Sequence, residues 1–274
     1  AERILKAIGG NGVLIGIEQD NDILNNLKSK FWKNAILIND NFRNLDKILS
    51  TKVGLKIKKI NGTVFDLGMS SLQLEDSGRG FSFQKNEPLL MTFKSKLGPS
   101  DLTARDIINQ WREKEIAELI YKYGEERYSR RIAKGITKAR RKRKIETTFE
   151  LVEIIQRSVP ARYRDGRSLN CTTKTFQALR IVVNDELAAL EEGISKAWDF
   201  LAKDGRLVVI SFHSLEDRIV KNFFKNRAIS GEGVILTKKP IIAGEEEKKL
   251  NPRSRSAKLR AIKKLLVVSK SNHD

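Results

Sequence analysis

The chain has 274 residues, 40% of them apolar and 32% charged, with 53 Lys+Arg against 34 Asp+Glu and a formal charge of +19. This balance predicts one large globular domain or two small ones. The lack of a ~18-residue apolar run excludes a membrane helix, and one cysteine (Cys171) with two histidines excludes a disulfide scaffold and a soft-ligand metal cluster. Residues 1–5 carry no apolar signal segment, so the expected compartment is the cytoplasm.

Residues 12–20 predict a short apolar strand ending in acids, and 21–32 a helix with Ile23, Leu24, Leu27 and Phe31 at helical spacing. A second strand (36–38), a helix (44–49) and a buried third strand (63–66) follow. Strands alternating with helices predict a parallel sheet. Residues 68–100 are irregular, punctuated by glycine and proline, and 101–157 read as successive helices with no strand. The alternation resumes with a long helix over 174–202, a turn at Asp204-Gly205, and the most hydrophobic strand of the chain at 206–212. A helix (215–224) and two late strands (234–236 and 258–266) complete the pattern. The expected organisation is an α/β domain of residues 1–96 and 171–274 split by a helical insertion of residues 97–170.

The positive charge is localised. Residues 127–144 hold ten Lys/Arg and no Asp/Glu, including Arg127, Arg130, Arg131, Arg140, Arg141 and Arg143, and a second basic stretch contains Arg253 and Arg255. Like charges at that density repel one another, which favours a polyanion partner, nucleic acid ahead of an acidic membrane surface. Solvated helix faces are the alternative for any single residue.

Four strings have the residue types for chemistry. Glu18 ends a strand where an acid can bind ribose hydroxyls, or can complement a helix dipole. Asp66-Leu67-Gly68-Met69-Ser70-Ser71 puts a carboxylate at a strand's carboxyl end, facing the ligand crevice of an open α/β sheet or making an Asx turn. Arg79-Gly80-Phe81-Ser82-Phe83 can hold a phosphate and stack a base, or pack as a loop. In Ser211 to Arg218, Ser214 as N-cap with Asp217 at the third helical position leaves His213 facing the crevice. A serine-hydrolase triad is disfavoured there because no nucleophile elbow is present.

These strings occur in order with Tyr123-Gly124-Glu125-Glu126-Arg127, Lys174 to Arg180 and Asn251-Pro252-Arg253-Ser254-Arg255-Ser256. Together they resemble the ribosomal RNA small-subunit methyltransferase H family, also called MraW or RsmH, over nearly the whole chain. The resemblance implies a class I Rossmann-like fold with a helical insertion, S-adenosylmethionine as cofactor, and methylation of a cytidine N4 in 16S rRNA, in the decoding centre of the small ribosomal subunit. It implies that Glu18 replaces the usual ribose-binding Asp, that Phe42 lines the adenine pocket, and that Asp66 and Gln73 contact the cofactor. In the mechanism that follows, Asp66 and Ser70 serve the cofactor and acceptor side, His213 faces the target base and Arg79 its phosphate, with the basic insertion gripping RNA. A homodimer is compatible with this reading.

Two departures from the family pattern accompany the resemblance. The Gly-rich cofactor loop that precedes the second strand of relatives is not in the sequence, and residues 1–5 resemble the helix that follows it. Leu90 and Thr92 stand where most relatives have Asp and Arg. A catalytically impaired RNA-binding paralogue, or a truncated form of the same family, is therefore the second reading, distinguished from the enzyme by cofactor titration.

Overall fold

The computed structural model describes residues 1–28, 33–52, 57–163 and 169–266. The chain divides into two compact units. The first comprises Ala1–Gln19, Lys28–Gly68 and Leu187–Asp274, and the second Asp20–Leu27 and Met69–Glu186.

The elements in chain order begin with α1 (Glu2–Ile8), β1 (Leu14–Glu18), α2 (Asn21–Lys28), β2 (Ala35–Asn39), a short α3 (Leu45–Lys47) and β3 (Ile60–Asp66). The helices α4 (Ser71–Glu75), α5 (Ala104–Gln110), α6 (Glu113–Gly124), α7 (Ser129–Arg140), α8 (Thr148–Ser158), α9 (Leu169–Asn184) and α10 (Glu186–Phe200) follow. Then come β4 (Leu201–Ser211), α11 (Ser214–Ile229), β5 (Gly233–Ile235), β6 (Ile241–Ile242), α12 (Glu245–Leu250) and β7 (Lys258–Lys264).

In the first unit β1 pairs with β2 in parallel, and β3 with β4 in parallel, as the alternation of strands and helices predicts. The late strand β7 differs: it runs antiparallel to both β4 and β5, giving the order β3-β4-β7-β5 in a mixed sheet. Leu207, Val209, Ile262, Trp198 and Phe224 form the centre of the core, with Ile15, Ile17, Ile36 and Ile38 of the two-stranded sheet packed against it. The expected turn at Asp204-Gly205 lies inside β4, where the register against β3 slips between Ile60 and Gly62 and Asp204 adopts φ 61°.

The second unit is helical around a separate core of Ile107, Ile116, Ile120, Ile132, Leu151 and Leu179. It is larger than residues 97–170. The irregular stretch after Gly68 belongs to it because its backbone bonds to the helical region: Leu89 N–H donates to Glu146 O (3.0 Å) and Thr148 N–H to Glu87 O (2.9 Å). Residues 174–202 form two helices rather than one. They part at Asp185, with φ 49°, where the Asn184 amide donates to Met91 O (2.7 Å) and accepts from Phe93 N–H (2.7 Å). Arg180 and Glu186 close the break with a bidentate ion pair at 2.7 and 2.8 Å. Among the described residues, no helix is long and apolar enough to cross a membrane.

Candidate functional site

In the first unit, Glu18 and Asp66 occupy the last positions of the parallel strands β1 and β3. At the carboxyl edge of an open α/β sheet, strand-end side chains reach the ligand crevice. Asp66 lies beside Ile210 of β4, and β4 runs directly into the turn that holds His213. Asp66 is exposed, and partial desolvation of its carboxylate raises its pKa above the ordinary carboxylate value. Gly68 has φ 86°, a conformation that favours glycine, so the backbone after Asp66 can turn where a side chain would be strained. Phe42 meets Phe65 edge to face at 5.3 Å, and a Cβ built on Gly193 would come within 2.6 Å of the Phe42 ring. Glycine at 193 thus provides the space in which Phe42 lies. Glu18, Phe42 and Asp66 belong to one unit, with the two carboxylates at the carboxyl ends of two parallel strand pairs.

His213 has a capping role that the sequence reading assigns to Ser214. It is itself the N-cap of α11: its Nδ1 accepts the Glu216 N–H at 3.3 Å, while the Glu216 carboxylate accepts the N–H groups of Phe212 (2.8 Å) and His213 (3.3 Å). The capping box is therefore His213–Glu216, one residue before the Ser214–Asp217 pair that the sequence suggests. Imidazole is a rare cap, which is why the hydroxyl was the natural reading. The His213 side chain is 9% exposed, yet His213 lines the cleft beside this turn, as the sequence leads one to expect. Asp217 instead holds Arg260 of β7 in a bidentate pair (2.7 and 3.1 Å), with Lys258 at 3.5 Å. Burial opposes ionisation of Asp217, but the two cations prevail and hold its carboxyl below the usual range. Phe212, His213, Ser214, Arg255 and Lys258 line this cleft, which has a volume of about 220 Å³.

In the second unit, Ser70, Gln73 and Arg79 belong to a hydrogen-bonded network around Asp20, which is fully buried. Ser70 caps α4: its hydroxyl accepts the Gln73 N–H (3.2 Å), and Gln73 Oε1 accepts the Ser70 N–H (3.0 Å). Gln73 Nε2 donates to Asp20 at 3.1 Å, which occupies the other end of the amide. Arg79 pairs with Asp20 and also donates to the carbonyls of Thr92 (3.2 Å) and Phe93 (2.9 Å). Arg79 is 8% exposed, so its guanidinium does not reach for a phosphate. Glycine follows it because Gly80 has φ 76° and a Cβ there would lie 2.3 Å from Pro88 O. Asp20 is the residue the sequence reading missed as a partner. Its signal, an acid two positions beyond Glu18, resembles any helix-start acid. Thr92 is buried and serves Arg79 through its carbonyl, a role open to other side chains.

The basic residues of the second unit divide by environment. Arg130 and Arg131 lie on the exposed face of α7, opposite the buried Ile132, Ala133 and Ile136. Arg141 is exposed, and Arg143 pairs with Glu150 at 2.7 Å. Arg140 is engaged internally, donating to the carbonyls of Ile108 (2.7 Å) and Trp111 (2.6 Å) at the end of α5. Arg127 lies against the rings of Tyr128 and Tyr163. Arg253 and Arg255 are exposed in the first unit. Burial raises the Cys171 thiol, the opposite of activation.

The family model described as the MraW methylase family matches residues 1–265. Curated relatives named "Ribosomal RNA small subunit methyltransferase H" include one from Sulfurihydrogenibium sp. (strain YO3AOP1), 48% identical over 90% of this chain and 83% of its own length. Others are from Clostridium botulinum (strain 657 / Type Ba4), 42% identical over 97% and 89%, and from Deinococcus deserti, 43% identical over 97% and 83%. With a match across nearly its whole length and an α/β fold of the expected kind, the chain belongs to the MraW methylase family.

Proposed function

We propose that this protein methylates a cytidine N4 in 16S rRNA, at the decoding centre of the small ribosomal subunit, with S-adenosylmethionine as donor. The observation that carries the reading furthest is Asp66, a carboxylate of raised pKa at the carboxyl end of β3, beside its parallel partner β4. When bound, the cofactor supplies a methyl group already activated by its sulfonium. The protein's task is to hold a weak nucleophile, because the cytosine amine's lone pair is delocalised into the ring. Asp66 accepts a hydrogen bond from that amine and takes its proton as the new bond forms, which a raised pKa favours. Glu18 holds ribose hydroxyls, and Phe42 offers its face to adenine. Ser70 and His213 act as helix caps that fix the turns after β3 and β4, and Arg79 and Gln73 fix the loop that follows Asp66. Arg130, Arg131 and Arg141, with Arg253 and Arg255, neutralise RNA phosphates without reading sequence.

Isothermal titration of S-adenosylmethionine into the protein tests the cofactor assignment. Saturable binding that Glu18→Ala weakens and Arg130→Ala leaves unchanged is expected. Binding that is indifferent to Glu18→Ala contradicts the ribose role.

A further inference from the structure

Arg127 lies against two tyrosine rings, whereas its neighbour Arg131 lies, among the described residues, over Tyr128 alone, at 5.7 Å. The Arg127 guanidinium carbon lies 4.8 Å from the Tyr128 ring centroid and 4.5 Å from that of Tyr163, and the two rings meet edge to face at 4.7 Å. The platform is anchored from below by Glu126, which is fully buried. Glu126 accepts the Tyr163 hydroxyl (2.9 Å) and the Tyr128 N–H (2.8 Å), and Lys174 Nζ stands 3.9 Å away. Burial and the neighbouring Glu126 push the Tyr163 phenol up to about 12, so it remains a donor at neutral pH. Arg127 is exposed and, among the described residues, makes no ion pair or hydrogen bond. Stacking engages the faces of a guanidinium and leaves its N–H edge for an acceptor. A long side chain has thereby lost its rotamer freedom before any ligand arrives.

We propose that Arg127, held by Tyr128, Tyr163 and the buried Glu126, is a preorganised fork for one RNA phosphodiester, a fixed anchor within an otherwise diffuse basic surface. The anchor rests on the ribosomal RNA reading above and gives it a fixed point. Arg130 and Arg131 continue the positive face on the next turns of the chain, which extends the site along an RNA backbone. Tyr128, Tyr163 and Glu126 are positioning residues: they act on RNA through Arg127.

The test is fluorescence anisotropy with an end-labelled, unmodified 16S rRNA fragment, read across a salt series. Arg127→Ala is expected to weaken binding about tenfold, as loss of a charge-assisted hydrogen bond does, and to reduce the log–log salt slope by about 0.7. Arg127→Lys keeps the charge and hence the slope, but loses several-fold in affinity because an ammonium cannot present a stacked planar fork. Tyr163→Leu repeats the Arg127→Lys pattern, whereas Arg130→Lys stays within twofold of the parent. Should Tyr163→Leu fail to fold, the exposed Arg127→Lys decides alone. Equal losses for Arg127→Lys and Arg130→Lys, or none for either, overturn the anchor while leaving RNA binding intact. A parent protein that does not bind the fragment overturns the ribosomal RNA reading and the anchor together.

Discussion

Replacing Arg79 with Met removes a cation paired with Asp20, a carboxylate that has no solvent access. Asp20 is 0% and the Arg79 side chain 10% exposed, so water cannot take the guanidinium's place. Asp20 would keep the Gln73 amide at 3.1 Å and the Asp22 N–H at 3.0 Å, and the carbonyls of Thr92 and Phe93 would lose their shared donor. Breaking a buried pair from one side costs about 3–5 kcal/mol, most of it from the charge left behind. Asp20→Asn is expected to cost a comparable amount, because it leaves the guanidinium unpaired. Once either partner is gone the second loss is smaller, so the double variant should fall short of the sum of the singles by about 2 kcal/mol or more. Chemical denaturation of the parent, both single variants and the double variant measures this coupling. The reasoning is refuted if each single variant lies within about 0.5 kcal/mol of the parent, as for an exposed pair, or if the two effects add. The same Arg79→Met variant should keep the parent's salt dependence of RNA binding, which separates a structural latch from a phosphate contact.

Other outcomes follow from the same structure. Asp66→Asn should raise the thermal midpoint at pH 7 while abolishing methyl transfer: a raised folded pKa means that ionisation opposes folding, so parent stability falls as pH rises through that pKa. The advantage of the variant should vanish in acid below the unfolded carboxylate pKa, where Asp66 is protonated in both states, and thermal melts across pH read this. Asp217→Asn should destabilise by roughly 3 kcal/mol at neutral pH, since Arg260 is 9% exposed and would lose its bidentate partner. The lowered pKa of Asp217 places the parent's own loss of that stability at acidic pH, as the pH falls through the folded value. Gly193→Ala should displace the Phe42 ring, which its Cβ would meet at 2.6 Å, at a packing cost of ~1–3 kcal/mol. It should weaken S-adenosylmethionine binding in a titration, and unchanged affinity would remove Phe42 from the cofactor pocket.

What could be read from the residues was periodic or composed of rigid strings. The apolar runs at β1, β2, β3 and β4 and the helical spacing of Ile23, Leu24 and Leu27 in α2 state their structure locally, because burial on one face dictates the pattern. The Asp66 strand end was legible for the same reason. The role of Arg79 was not, since its partner is 59 positions away and a buried arginine looks like an exposed one until the fold brings Asp20 beneath it. The cap at His213 was displaced by one residue because serine and aspartate are the usual capping residues and imidazole is not. The break at Asp185 has no proline or glycine to mark it. It depends on Asn184 bonding to Met91 and Phe93, over 90 positions upstream. The second unit outgrew residues 97–170 because long-range backbone bonds, rather than composition, tie the irregular stretch to the helices.

Methyl transfer onto ribosomal RNA is the central claim, and it can be measured directly. The protein is incubated with methyl-tritiated S-adenosylmethionine and unmodified small ribosomal subunits or 16S rRNA, and the RNA is digested to nucleosides. The account predicts label in N4-methylcytidine with the parent protein and none with Asp66→Asn. Label in another nucleoside, equal label with Asp66→Asn, or no label from a protein that binds both the cofactor and the RNA would contradict it.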